Sequence, residues 1–291
     1  MRGDAVGDHL HVTILDLIQK TTSYFEKCGV PNARLDVELL LGHVLKLRRM
    51  ELYLQFERVL TEKELDELRP MVKRRSSREP LQHILGSVDF CGLELMVSPQ
   101  ALIPRPETEI LVQNCITILE KENGTVLDVG TGSGAIALAV AHACPRIRCV
   151  AVDVSEDALT LARSNAEKSG LKERVDFRAG DLFGPVGKDE MFDLIVSNPP
   201  YISTGEISNL QPEVQRDPRA ALDGGVDGLD VIRKLISGSA SHLKPGGWLL
   251  MEIGHDQLSR VKQLLEENGW GGIRFVNDLQ GVARVVLAGR P

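Results

Sequence analysis

The residues with the most chemical content are Asn198, Pro199, Pro200 and Tyr201, which directly follow an apolar run at 192–196. The run reads as a buried strand. Two prolines cannot donate backbone hydrogen bonds, so no strand ladder continues through them. The strand therefore gives way to a rigid tip carrying an amide side chain, backbone carbonyls and an aromatic ring. Such a tip suits an sp2 nitrogen, whose lone pair is tied up in conjugation and attacks poorly. The side-chain oxygen of Asn198 and the carbonyl of Pro199 can grip its two N–H bonds, while Tyr201 stacks on the planar group and Pro200 walls the pocket. Held this way, the nitrogen aims its lone pair at an electrophile, and positioning supplies much of the rate. An ordinary Asn-Pro turn is the simpler alternative. A donor site upstream would separate the two.

Such a site is legible. An apolar strand at 125–129 runs into Gly130, Thr131, Gly132, Ser133 and Gly134, with a helix at 135–142 directly behind. Glycines let a backbone approach its ligand closely, and a helix N-terminus offers unpaired N–H groups. Asp153 ends the next strand and is placed to accept hydrogen bonds from a ribose diol. A capped helix spans 155–169. A third strand, 175–179, stops at Gly180, Asp181, Leu182 and Phe183. There Asp181 can accept from an exocyclic adenine amine and Leu182 can pack on the ring, although a plain turn acid would look the same. These features make a nucleoside-binding βαβ unit. They do not choose the nucleoside, because Gly130-x-Gly132-x-x-Ala135 also fits the loose dinucleotide pattern.

The surrounding chain must position these groups. Residues 12–78 have helical periodicity, with apolar faces at Ile14, Leu15, Leu17 and Ile18 and again at Leu35 to Leu45. Thr61 and Glu64 form a capping-box signature, and Pro70 is expected to kink or end the helix it opens. The reading is a small all-helical domain, 1–78, of four or five short helices. Its basic run at 73–78 is a solvated helix end or, on the sharper reading, a patch for a negatively charged partner. Apolar runs at 81–88 and 90–97 predict a β-hairpin linker, 79–104. Residues 105–291 are expected to form a second, larger domain that carries these groups. Pro104 and Pro106 fix the chain path before a helix at about 107–120, and Arg105 would suit a carboxylate partner beside the pocket. Beyond the tip, the polar stretch to Gly228 has the length of a lid or recognition segment. A helix (229–242), a turn (244–247), a strand (248–253), a helix (257–268) and a closing antiparallel hairpin (273–276 and 282–287) complete the chain. That reversed hairpin is unlike a dinucleotide half-domain.

The chain has 291 residues, 43% hydrophobic and 26% charged, an ordinary soluble composition. No apolar run approaches the ~20 residues needed to cross a bilayer. The start, MRGDAVGDHLHV, lacks the apolar core of a signal peptide and is a poor transit peptide. Five cysteines without a CxxC spacing indicate reduced thiols in a cytoplasmic protein. His9 and His11 form a lone pair to which no metal is assigned. The net charge of −7 divides unevenly: 14 basic and 12 acidic residues in 1–78, against 20 and 29 in 79–291. This is not the broad basic surface of a generic nucleic-acid binder.

Together, DVGTGSGAIA at 128–137, Asp153, GDLF at 180–183 and NPPY at 198–201 resemble the class I S-adenosylmethionine-dependent methyltransferases that act on amino groups. IPRPETE at 103–109 and NPPYI at 198–202 narrow the resemblance to the peptide chain release factor glutamine methyltransferases, over nearly the whole chain from Ile14. The resemblance implies an α/β fold, a Rossmann-like seven-stranded sheet with a reversed final hairpin, behind a helical N-terminal substrate-recognition domain. It implies methyl transfer from S-adenosyl-L-methionine, leaving S-adenosyl-L-homocysteine, to the side-chain amide of the glutamine in the Gly-Gly-Gln loop of class 1 release factors. Gly130, Thr131, Gly132, Ser133 and Gly134 would hold the methionine part and Asp153 the ribose, while Asp181 and Leu182 would flank the adenine. Asn198 would face both cofactor and substrate, with Pro199, Pro200 and Tyr201 completing the amide site. No metal, membrane or direct nucleic-acid contact is implied, and the enzyme is expected to be a monomer. The alternative is an adenine or guanine amino methyltransferase using the same tip on a flipped base. One departure is DLQGVARVV at 278–286, where a charged residue is expected near Val282 and Ala283.

Overall fold

The computed structural model describes residues 12–119 and 123–290, and the chain divides after Leu85 into two compact units. His9, His11, most of the N-terminal segment assessed for a targeting signal, and Glu120 lie outside the described residues.

The first unit is helical: α1 (Ile14–Lys27), α2 (Ala33–Leu45), α3 (Arg49–Tyr53), α4 (Glu62–Ser76) and α5 (Leu81–Leu85). The apolar stripes of the sequence converge on one core of Ile14, Ile18, Phe25, Leu40, Leu41, Leu52 and Leu68. Thr61 caps α4 reciprocally with Glu64, as its capping-box pattern predicts. Three expectations are corrected here. Pro70 neither ends nor interrupts α4; it sits on the exposed side, where water can satisfy the carbonyl that it leaves without a helical partner. The segment at 81–85 is a short helix, because Leu81 and Ile84, three residues apart, both face the helical core. The basic run is only partly a solvated end: Arg75 is buried and pairs with Asp36 at 2.7 Å, and Arg74 pairs with Glu79.

The second unit opens with a two-stranded hairpin, β1 (Ser87–Phe90) and β2 (Leu93–Met96). It continues as α6 (Thr108–Leu119), β3 (Gly124–Val129), α7 (Ala135–Ala143), β4 (Ile147–Asp153), α8 (Glu156–Lys168), β5 (Val175–Ala179) and β6 (Phe192–Ser197). Three 3-10 turns between 207 and 221 lead to α9 (Asp230–Ser239), β7 (Leu243–Glu252), α10 (Leu258–Glu267), β8 (Gly271–Asn277) and β9 (Ala283–Gly289). The sheet order is β5-β4-β3-β6-β7-β9-β8. The first five in that order are parallel, and β9 runs antiparallel to both of its neighbours, giving the expected reversed hairpin.

Alternation builds the two faces. Val126, Leu194, Val196 and Leu250 join α6 and α7 in one core, while Leu127, Ile195, Leu249 and Met251 join α9 and α10 in the other. The expected turn at 244–247 is a bulge inside β7: Phe192 pairs with Leu243 but Leu194 pairs with Trp248. Near the departure at 278–286, Arg284 pairs with Asp278 at 2.9 Å, so a cation is supplied two residues after Val282. Strands β4 and β6 flank β3, so chain direction across the sheet reverses there. Parallel sheets bind ligands at that reversal, outside the carboxyl ends of the strands.

Candidate active site

The loop after β3 is held against β4, with the backbone N–H groups of Gly130 and Thr131 both donating to the Val152 carbonyl at 2.8 and 3.0 Å. Gly130 and Gly132 have φ of 73° and 55°, a left-handed region where only glycine is unstrained. Gly132 N–H donates to Asp153 Oδ2 at 2.8 Å and Ser155 N–H to Oδ1 at 2.9 Å. These bonds orient the carboxylate and leave each oxygen a lone pair for a further donor. Behind the loop, fully buried Asp128 accepts from Thr131 Oγ1 at 2.6 Å and from Ala137 N–H at 3.1 Å. Burial pushes its carboxyl up to about 7, against those two hydrogen bonds. Its Oδ1 is buried with no partner among the described residues.

A cavity of about 330 Å³ opens here, lined by Gly130, Gly132, Asp153, Asp181, Leu182, Asn198, Pro199 and Pro200. Eight residues predicted from separate motifs therefore share one wall system. Thr131, Ser133 and Gly134 are buried and do not line it; Thr131 steadies Asp128, the Ser133 carbonyl accepts from Asn165, and Gly134 is the N-cap of α7. Leu182 holds φ of 49°, unusual for a bulky side chain, and such strain persists where surrounding structure enforces it. Val154 and Ser155 extend the wall beside Asp153, and Gln100, Ala101 and Leu102 close another side.

The tip is built by contacts distant in sequence. Ser197 Oγ donates to the Val129 carbonyl at 2.7 Å, joining the ends of β6 and β3. Half-buried Asn198 donates from Nδ2 to Thr108 Oγ1 at 3.2 Å; Thr108 Oγ1 donates to Glu252 Oε2 at 2.7 Å, and Tyr201 OH to Glu252 Oε1 at 3.2 Å. Thr108 and Glu252 are both buried. Burial raises the Glu252 carboxyl above the usual range, and burial with the adjacent Glu252 raises the Tyr201 hydroxyl. Tyr201 does not line the cavity; it packs against the α9–α10 core.

The segment after the tip folds back on it. Ile202 N–H donates to Leu222 O, Gly224 N–H to Ile202 O, and Gln257 Nε2 to both Tyr201 O and Gly228 O. Arg105 does meet a carboxylate, that of buried Asp217, at 2.5 Å, which ties the proline-bounded segment to this stretch. Pro218, Ala220, Ala221 and Asp223 of the stretch line the cavity.

Sequence reasoning missed Thr108 and Glu252. The available signal for Glu252 was one acid among apolar residues at the end of a central strand. Among the described residues no group of three His, Cys, Asp or Glu could hold a metal, and no helix is long and apolar enough to cross a membrane.

Residues 16–86 match the PrmC N-terminal domain and residues 106–225 the methyltransferase small domain. The chain is 45% identical over 275 residues to the release factor glutamine methyltransferase of Geobacter sulfurreducens, covering 94% of this chain and 95% of that one. It is 39% identical to that of Koribacter versatilis, covering 96% and 99%. In fold it is similar to a T. thermophilus 16S rRNA N2 G1207 methyltransferase solved with AdoMet and guanosine. The TM-score is 0.53 at 21% identity, covering 70% of this chain and 50% of that one.

Proposed function

The chain belongs to the release factor glutamine methyltransferases, and we propose that it moves a methyl group from S-adenosyl-L-methionine to the glutamine side-chain amide in the Gly-Gly-Gln loop of a class 1 release factor. The observation that carries this reading is the shared cavity: the amide-gripping tip, Asn198 to Pro200, stands in the same walls as Gly130, Gly132 and Asp153. A tip of this kind on an otherwise closed surface would have no donor to serve.

The residues present fit the donor. Glycines 130 and 132 keep the loop free of side chains that would fill the cradle, and Asp153 keeps acceptor capacity for a ribose diol. Asp181 and Leu182 suit an adenine edge and face. When bound, S-adenosylmethionine supplies a sulfonium-activated methyl group. Asn198 Oδ1 and the Pro199 carbonyl accept the two amide N–H bonds of the glutamine, which holds its nitrogen toward that methyl. Tyr201, outside the cavity lining, supports the tip from behind, with its ring in the α9–α10 core and its hydroxyl on Glu252. No strong base is needed beforehand, because the nitrogen sheds its proton readily once alkylated. The burial that raises Tyr201 and Glu252 keeps the first a neutral hydroxyl and charges the second only reluctantly.

We assign recognition of the release factor to the N-terminal domain, 1–78, whose described part is helical, and place the enzyme in the cytoplasm as a monomer needing no nucleic acid. Transfer of labelled methyl to purified release factor, with a Gln→Ala substitution in its Gly-Gly-Gln loop and with RNA and DNA in parallel, tests the reading. Label on the intact factor alone is expected. Label on nucleic acid alone would move the activity to base methylation by the same tip.

A further inference from the structure

We infer that buried Glu252, acting through Thr108, sets which end of the Asn198 amide faces the substrate, making both positioning residues for the transfer proposed above. The inference rests on that reading of the site.

A carboxamide is nearly symmetric in shape but opposite in polarity at its two ends. To hold an amide N–H, Asn198 must present Oδ1; turned over, it would present Nδ2, a donor facing donors. Nothing in an Asn-Pro turn chooses between the two, so a neighbour has to. In this structure the choice is made by a directional chain. Both carboxyl oxygens of Glu252 serve as acceptors, Oε1 from Tyr201 OH and Oε2 from Thr108. The Thr108 hydroxyl proton is directed at Oε2, 2.7 Å away. With that proton committed, Thr108 Oγ1 is left as an acceptor, and it takes Asn198 Nδ2–H at 3.2 Å. The other end of the carboxamide, Oδ1, is therefore the end left for the substrate. Tyr201 OH occupies the second oxygen, Oε1, at 3.2 Å, so the carboxylate is held from both sides.

Placement supports the assignment. Glu252 is 2% exposed and Thr108 4%, so water does not compete for either. Neither lines the cavity, whereas Asn198 does. Three segments meet at this chain: the start of α6, the tip behind β6 and the end of β7. A buried acid within the β-sheet core is costly to keep, and a threonine–glutamate pair adds nothing that apolar packing could not supply. Fixing the polarity of a reacting-site amide is a task that apolar residues cannot perform.

The test compares Thr108→Val, which keeps the shape and deletes the hydroxyl, with Thr108→Ser, which keeps the hydroxyl. Each is assayed in the full chain for methyl transfer to purified release factor, and for S-adenosylmethionine affinity by titration. For the valine variant kcat should fall at least about tenfold, with cofactor affinity within about twofold of wild type. The serine variant should return kcat to within about threefold. Glu252→Gln, which retains the volume but can present a donor to Thr108, guards against a folding defect and should lose kcat about threefold or more at unchanged cofactor affinity. A kcat within about twofold of wild type for the valine or the glutamine variant overturns the inference. So does a serine variant as impaired as the valine one, or a loss of cofactor affinity matching the loss of turnover. Wild-type enzyme that leaves the glutamine unlabelled refutes the substrate reading instead, and the inference falls with it.

Discussion

Asp128 offers the most quantitative test of the site's physical chemistry. Its carboxyl is fully buried at the end of β3, pushed up from 3.8 to about 7 by burial. Below the unfolded value both states carry the proton and the group costs nothing. As pH rises, the unfolded chain ionises first, so stability falls through the window from about 4 to about 7 and stays reduced above it. The gap corresponds to roughly 4 kcal/mol, of which roughly 3 kcal/mol falls between about pH 4.5 and about pH 8.5. Asp128→Asn keeps the shape and an acceptor for Ala137 N–H, and the Thr131 hydroxyl can turn to suit an amide. The variant cannot ionise. Denaturant unfolding of both proteins across that pH range should give curves that converge toward acid and separate toward base, the variant gaining on the wild type by roughly 3 kcal/mol. Any constant cost of the substitution cancels in this difference. Curves that stay parallel within about 1 kcal/mol would refute the idea that burial dominates this carboxyl.

Asn198→Ala should cut turnover about a hundredfold or more while leaving cofactor affinity nearly intact by titration; a matching loss of affinity would place Asn198 with the cofactor instead. Gly228→Ala puts a Cβ 2.4 Å from the Tyr201 carbonyl at φ of 74°, whereas Gly170→Ala, also at positive φ, meets nothing within 4 Å. The first should lose about 2–4 kcal/mol and most activity and the second only about 1 kcal/mol, so equal losses by thermal unfolding and methyl transfer would contradict the clash. Arg75→Ala removes the guanidinium that pairs with buried Asp36 and should cost about 3–5 kcal/mol by urea unfolding, against less than about 1 kcal/mol for exposed Arg69→Ala. Similar costs would mean that the basic run is solvated throughout.

What was legible in the sequence was local. The Gly130–Gly134 loop, Asp153 and the Asn198 tip each carry their geometry in a few adjacent residues: glycines that tolerate left-handed backbone, an acid closing a strand, prolines that stop a ladder. Their convergence was legible too, because strand ends flanking a direction reversal in a parallel sheet lie together. The directional chain was not. Thr108 and Glu252 stand 144 positions apart, and their meeting depends on where β7 lies in the sheet and on how Pro104 and Pro106 aim α6. The same limit explains Arg75, which reads as one more cation in a charged run until α2 brings Asp36 against it. It explains Leu81 and Ile84, which read as part of one apolar run until a helical core is there to receive both on a single helix face. Motifs thus name groups that line the cavity, while the buried partners behind them, Thr108 and Glu252, are legible only once the fold brings them together. On the reading inferred above, Asn198 presents its oxygen to the cavity because Glu252, out of contact with that cavity, takes the Thr108 hydroxyl and leaves its oxygen for the Asn198 N–H.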